Sequence, residues 1–353
     1  MNGKAAYKSW IFKVALIVVP AVLLVGTANF LIDPLQHFRK ASFYKTCFCE
    51  EQRYLNPGLA KNFAYDSILV GSSMTENMAP SYIDRKLGMK ILKLSLKGAS
   101  AYEEHLMLDT SIRTGRVRNV LLGVDVFSFE GSPKRLRYGP GSVPLYLYDD
   151  TLLNDYMYIL SLDTLLNQSR HSIMANIRGV KDQLDMDSAY NWAGSSRFSA
   201  AQVWKEWGAR GRKKKIDRAQ FRFPVLKESF DQNIIPHIRR NKGINFYIFF
   251  PPYSIVYWKN MEEIGILEDT LQFNRYVFES TKGFGNVKVF NFQAEDTITF
   301  NLDNYKDMNH YSPEVDKFIV DSIAKGVYLM TDENSLGSIN RISTQIKEFK
   351  PKF

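Results

Sequence analysis

Two short stretches carry the residue types that acyl chemistry needs. The first is Gly71-Ser72-Ser73-Met74-Thr75, which follows the apolar run Ile68-Leu69-Val70. A buried parallel strand reads as such a run, and a glycine at its end lets the backbone turn sharply, so the two hydroxyls emerge at the strand's carboxyl end. Ligands bind at that edge in open α/β sheets. The second stretch is Asp307-Met308-Asn309-His310, just ahead of an amphipathic segment opening at Ser312-Pro313-Glu314. A hydroxyl is a poor nucleophile near neutral pH until a base takes its proton. The base works best when a carboxylate fixes its tautomer and stabilises the imidazolium. Ser73 as nucleophile, His310 as base and Asp307 as orienting carboxylate would fill those roles. Taken singly, Gly-Ser-Ser reads as a turn and Asp-x-x-His as a surface loop with a capping acid; together they point to catalysis.

The elements that must bring these ends together alternate in type. Apolar runs at Ser67–Val70, Ile91–Leu96 and Val120–Val126 interleave with helical patterns at Ser81–Leu87 and Tyr102–Arg113. Two more runs follow, Asn245–Phe250, ending at Pro251-Pro252, and Val287–Phe292. Strands alternating with helices imply a mostly parallel sheet of about five strands in an α/β domain over residues 65–330. Between the third and fourth strands, residues about 130–240 read as a mostly helical insertion that opens on Gly139-Pro140-Gly141. The aromatics of its Tyr- and Leu-rich part, Tyr146–Leu166, are expected to pack a cap onto the sheet, with a sugar-stacking groove as the alternative. Residues 331–353 read as a polar, basic tail.

This arrangement resembles the SGNH (GDSL-like) hydrolase superfamily, in which Ser follows the first strand, Gly the second, Asn the third, and Asp-x-x-His lies near the C-terminus. Leu92-Lys93-Leu94-Ser95-Leu96-Lys97-Gly98 is similar to the second block, and Asn119-Val120-Leu121-Leu122-Gly123-Val124-Asp125 to the third. The resemblance spans roughly residues 60–325 and implies a three-layer α/β/α sandwich. It also implies an oxyanion hole made by the backbone N–H groups of Ser73 and Gly98, with Asp125 in the third position. The chain departs from the pattern twice. Ser72 replaces the usual Asp before the nucleophile, and Asp125 replaces a neutral amide, although an ionised carboxylate has no hydrogen to donate. Within the superfamily the chain looks most like membrane-anchored proteins of teichoic-acid D-alanylation and exopolysaccharide acetylation. That likeness implies an esterase or acyltransferase acting on acyl groups of a cell-surface polysaccharide or wall polymer, without a cofactor. The alternative it leaves open is a non-catalytic scaffold that binds polymer or a membrane acyltransferase partner.

Val14–Ile32 is an apolar run of 19 residues, about 28 Å of helix at roughly 1.5 Å per residue, which spans a bilayer's hydrocarbon. Lys4, Lys8 and Lys13 precede it and Asp33 follows. The positive-inside rule therefore puts the N-terminus (residues 1–33 with the anchor) in the cytoplasm and the rest outside. A cleaved signal peptide is the alternative, with Gly26-Thr27-Ala28 as its small-residue site; Phe30-Leu31-Ile32 carries the apolar run past it. Residues 34–64 read as a connector. The two cysteines, Cys47 and Cys49, are one residue apart and cannot staple distant elements.

The formal net charge is +9, and Arg210-Gly211-Arg212-Lys213-Lys214-Lys215 is the densest basic run. It reads either as a solvated loop or as a contact for anionic lipid or polymer; an exported domain makes nucleic acid an unsuitable partner. The five histidines are scattered without metal-ligand spacing, and no Gly-x-x-x-x-Gly-Lys phosphate loop or third glycine of a dinucleotide fingerprint occurs. Thr75 stands where the Gly-x-Ser-x-Gly elbow of α/β-hydrolases has its second glycine.

Overall fold

A computed structural model describes residues 2–45, 51–179, 186–209 and 216–351. Cys47, Cys49 and the basic run 210–215 lie outside the described residues. The chain divides into two compact units, Met1–Phe63 with Pro144–Asp185, and Ala64–Val143 with Met186–Phe353. The stretch 130–240, expected as one insertion, is thus shared between them.

The larger unit is built on five strands: β1 (Ser67–Val70), β2 (Ile91–Lys93), β3 (Asn119–Gly123), β4 (Asn245–Phe250) and β5 (Val287–Asn291). They form one all-parallel sheet in the order β2-β1-β3-β4-β5. Neighbouring residues of a strand point to opposite faces, and all four residues of β1 are buried, so the sheet is covered on both faces there. That is why the central strands read as unbroken apolar runs. β2 ends at Lys93, short of its run, yet the Leu94 and Leu96 N–H groups continue to donate to the Leu69 and Gly71 carbonyls at 2.8 and 2.9 Å. The order reverses at β1, whose chain continues to β2 on one side and whose other neighbour is β3. Such a switch point opens a crevice at the carboxyl ends of the two strands.

Local chemistry starts and stops the connecting helices. Pro80 begins Pro80–Leu87, where a missing N–H costs nothing, and Gly88 ends it in the left-handed region. Ser100 and Glu103 form a reciprocal capping box on Ala101–Arg113. The stretch read as a polar tail carries the helix Ser335–Glu348, which buries Ile339, Ile342 and Ile346. Three apolar residues at that spacing suffice to give a long polar helix a buried stripe.

In the smaller unit the apolar run lies inside a longer helix, Asn2–Ile32, of which Ala6–Ile32 is long and apolar enough to cross a membrane. Its last carbonyls are not left open. The Arg39 guanidinium donates to the Phe30 and Leu31 carbonyls, and the Tyr44 hydroxyl to that of Ile32. The Asp33 carboxylate then accepts from the His37, Phe38 and Arg39 N–H groups and from the Tyr158 hydroxyl, fixing the turn that leaves the helix.

Candidate active site

β1 ends at Val70, and the chain turns through Gly71 and Ser72 into a single helical turn, Ser73–Thr75. The tightness of this elbow is set by Thr75, whose side chain fills the space beside two glycines. A Cβ on Gly71 or on Gly123, at the end of β3, would come within 2.8 Å of the Thr75 methyl. Ser72 caps the turn, its hydroxyl accepting from the Met74 N–H and donating to Asp125 Oδ2 at 2.8 Å.

The second half of the site is a closed loop. Tyr305 and Tyr311 pair as an antiparallel bridge, and the Lys306 N–H donates to the His310 carbonyl at 3.0 Å. Inside it, Asp307 Oδ1 accepts from the Asn309 and His310 N–H groups, so the carboxylate is held by its own turn. Both tyrosine hydroxyls are anchored, that of Tyr305 on the Pro252 carbonyl (3.0 Å) and that of Tyr311 on the Met74 carbonyl (2.8 Å). Glu206 accepts from the Met308 N–H at 2.6 Å, and the Ser254 hydroxyl donates to the Met308 carbonyl.

The two halves meet as the residue types require. Ser73 Oγ lies 2.8 Å from His310 Nε2, and His310 Nδ1 lies 2.8 Å from Asp307 Oδ2, across 237 residues of sequence. With Nδ1–H donating to the carboxylate, Nε2 is left as an acceptor for the serine proton. Burial by itself raises the Asp307 carboxyl. The His310 hydrogen bond and charge, with the two loop N–H groups, outweigh it and hold the carboxyl below its ordinary value. Ser73, Asp307 and His310 are all part-exposed, so a substrate can reach the hydroxyl.

The residues assigned to the oxyanion hole divide. Gly98 has φ +58°, and among the described residues neither its N–H nor that of Ser73 donates a hydrogen bond. The Arg137 guanidinium lies over it, with Nε 3.2 Å from where a Cβ would stand. Asp125 is an acceptor on both oxygens, from Ser72 on one and from the Tyr253 hydroxyl (2.5 Å) and the Phe127 N–H (3.2 Å) on the other. Its position just beyond β3 lets it pin Ser72, the residue before Ser73, from across the switch point.

Trp192 was not singled out in the sequence, yet it contacts both the Ser73 turn and the His310 ring. Its Nε1–H donates to the Ser73 carbonyl at 3.3 Å, its ring meets the His310 ring edge-on at 5.4 Å, and its backbone N–H donates to Asn77 Oδ1. Lys306 places its ammonium 3.4 Å from the centre of that ring. Burial lowers the Lys306 ammonium below the usual lysine range, and Lys97 adds to this, while Asp307, Glu76 and Glu206 oppose it. An aromatic surrounded by Asn191, Ala193 and Gly194 carries no local mark of such a role. No family model matches this chain, and no curated protein matches it, so any assignment rests on this geometry and on the sequence.

Proposed function

We propose that the chain is a membrane-anchored SGNH-type esterase or acyltransferase that acts on ester-linked acyl groups of a cell-surface polysaccharide or wall polymer. The observation that carries this reading is the hydrogen-bonded series Ser73, His310, Asp307 at the carboxyl end of β1. Ser73 Oγ attacks the acyl carbonyl carbon as its proton passes to His310 Nε2. The C–O bond to the sugar or polyol then breaks, and His310 returns the proton to the leaving oxygen. Water or an acceptor hydroxyl attacks the acyl-serine in the second half, with His310 again as base. The negative oxygen of each tetrahedral intermediate is placed against the Ser73 and Gly98 N–H groups, with the Arg137 charge beside them. Asp307 holds the imidazole tautomer, and Trp192 positions the ring and the elbow. The sheet covered on both faces is in keeping with the three-layer sandwich that the SGNH resemblance implies. The lysines before the apolar helix support a cytoplasmic N-terminus and an extracytoplasmic main domain.

A second reading, a non-catalytic scaffold binding polymer or a membrane acyltransferase partner, is favoured by Asp125, a residue whose carboxylate accepts on both oxygens at the sequence position where the resemblance implies an amide donor. The purified full chain treated with a serine-directed fluorophosphonate decides between them. Labelling of Ser73, lost in Ser73→Ala together with acyl turnover but without loss of thermal stability, supports the enzyme. An unlabelled wild-type protein would favour the scaffold.

A further inference from the structure

The smaller unit contains an apolar surface that its own packing leaves uncovered. Asn29, in the apolar helix, is fully buried, and its amide donates to the Ile159 carbonyl (2.8 Å) and the Ser161 carbonyl (2.9 Å) while its oxygen accepts from the Ser169 hydroxyl (2.9 Å). A Cβ on Gly26 would stand 3.2 Å from the Leu160 side chain and 3.3 Å from that of Ile159. The segment around Tyr156–Ile159 and Thr164–Ser169 therefore packs on the last two turns of the helix. At roughly 1.5 Å per residue, Asn29 and Gly26 lie about 4.5 Å and 9 Å inside its end at Ile32.

Leu152, Leu153, Tyr156, Leu162, Leu166 and Ile177 all point away from this packing, with Leu153 88% and Leu162 60% exposed. Single exposed leucines are ordinary, but a run of them over 26 residues (152–177), fixed at the depth of a membrane helix's last turns, is a surface made for an apolar medium. Arg170 is exposed on the same segment and Arg178 directly after it. Such side chains can lay their stems along lipid and reach phosphate with their charged ends.

We propose that Leu152–Ile177 is a second membrane-contacting surface, lying in the acyl-chain and headgroup boundary beside the spanning helix. Segments of this kind bury about 5–10 Å into that boundary, which matches the depth at which Asn29 and Gly26 hold this one. The occupant is lipid because the surface continues that of the apolar helix and is bonded to it at membrane depth. Asn29 explains the bonding, since a polar amide in hydrocarbon must find partners inside the protein.

The proposal rests on the anchor reading above, and one experiment separates the two. The full chain carrying Cys47→Ser and Cys49→Ser is given a single cysteine as Leu24→Cys, Leu153→Cys or Leu162→Cys. Each is labelled with an environment-sensitive fluorophore and reconstituted into phosphatidylcholine–phosphatidylglycerol vesicles. We expect blue-shifted emission at 153 and 162, quenched by lipid brominated high on the acyl chain and not by aqueous iodide. Probe 24 should be quenched by deeply brominated lipid. Iodide quenching at 153 and 162 with lipid quenching at 24 overturns the proposal and leaves the anchor standing. Protection from both quenchers at 153 and 162 also overturns it, since a protein would then cover the surface. A probe at 24 untouched by lipid overturns the anchor itself.

Discussion

Glu104→Gln is the substitution whose size can be worked out from the structure. Glu104 lies in the helix Ala101–Arg113 with no exposed surface; one carboxyl oxygen accepts from the Ser128 hydroxyl at 2.9 Å and the other has no partner among the described residues. Burial raises the carboxyl from its ordinary 4.5 to about 8; the neighbouring charges of Asp125 and Glu103 add to this, and Ser128 and Arg135 only partly oppose it. Between those two values the folded chain keeps a proton that the unfolded chain has lost. Stability from this group is therefore complete below about pH 4.5 and is lost as pH rises towards 8. At about 1.4 kcal/mol per pH unit the ceiling is about 5 kcal/mol. Relaxation and water entry around a buried charge reduce this to on the order of 3 kcal/mol. Glutamine keeps the shape and removes the titration. The assay is the urea midpoint of both proteins in detergent from pH 4.5 to 8.5. The variant's advantage should grow steadily over that window, against nearly equal stability at its acid end. Parallel curves, or a variant weaker throughout, would mean that Glu104 is ionised and paired when folded, and that its burial does not hold the proton.

Two further perturbations follow from the site. Asp307→Asn should lower acyl turnover by about 10⁴-fold through loss of the correct imidazole tautomer. Because the wild-type carboxyl is held below its ordinary value, its stability contribution is present above that value and lost as pH falls through the depressed one; the variant should lack this part of the acid-limb loss in a pH series of melting temperatures. Gly123→Ala places a methyl 2.8 Å from Thr75 and 3.1 Å from Phe249, and should cost about 1–3 kcal/mol in denaturant unfolding. Thr75→Ser should recover much of that in the double variant, and strictly additive losses would show that the methyl is not the obstacle.

How far the sequence announced this structure depends on whether each signal is local. β1, β3 and β4 were legible because strands largely buried on both faces are mostly apolar, although β3 ends at Gly123, three residues short of its run. The end of β2 was not, because hydrogen bonds to the Leu69 and Gly71 carbonyls carry on past its last strand residue, Lys93, without continuing the strand. Ser73, Asp307 and His310 could be named because few residue types suit such roles, Ser73 follows a strand end, and Asp307 and His310 lie three residues apart. Trp192, Tyr253 and Glu206 act on a ring, a carboxylate and backbone groups distant in sequence, and nothing in their own neighbours marks them. For the helix Ser335–Glu348 a signal did exist, Ile339, Ile342 and Ile346 on one stripe, but the polar residues around it outnumber the stripe.

The two tyrosines that close the Asp307–His310 loop have a consequence for how the site can move. Tyr311 is bonded to the carbonyl of Met74, the residue next to Ser73, and Tyr305 to Pro252, just beyond β4. Any displacement of the elbow therefore carries the imidazole with it, and the distance between serine and base is conserved while both shift together. Breathing of this region would alter access to the hydroxyl before it altered the proton path. Substrates of different bulk could be admitted by such a common movement at little cost to the chemistry, so variation in what the site accepts is to be sought in the residues around this block and not within it.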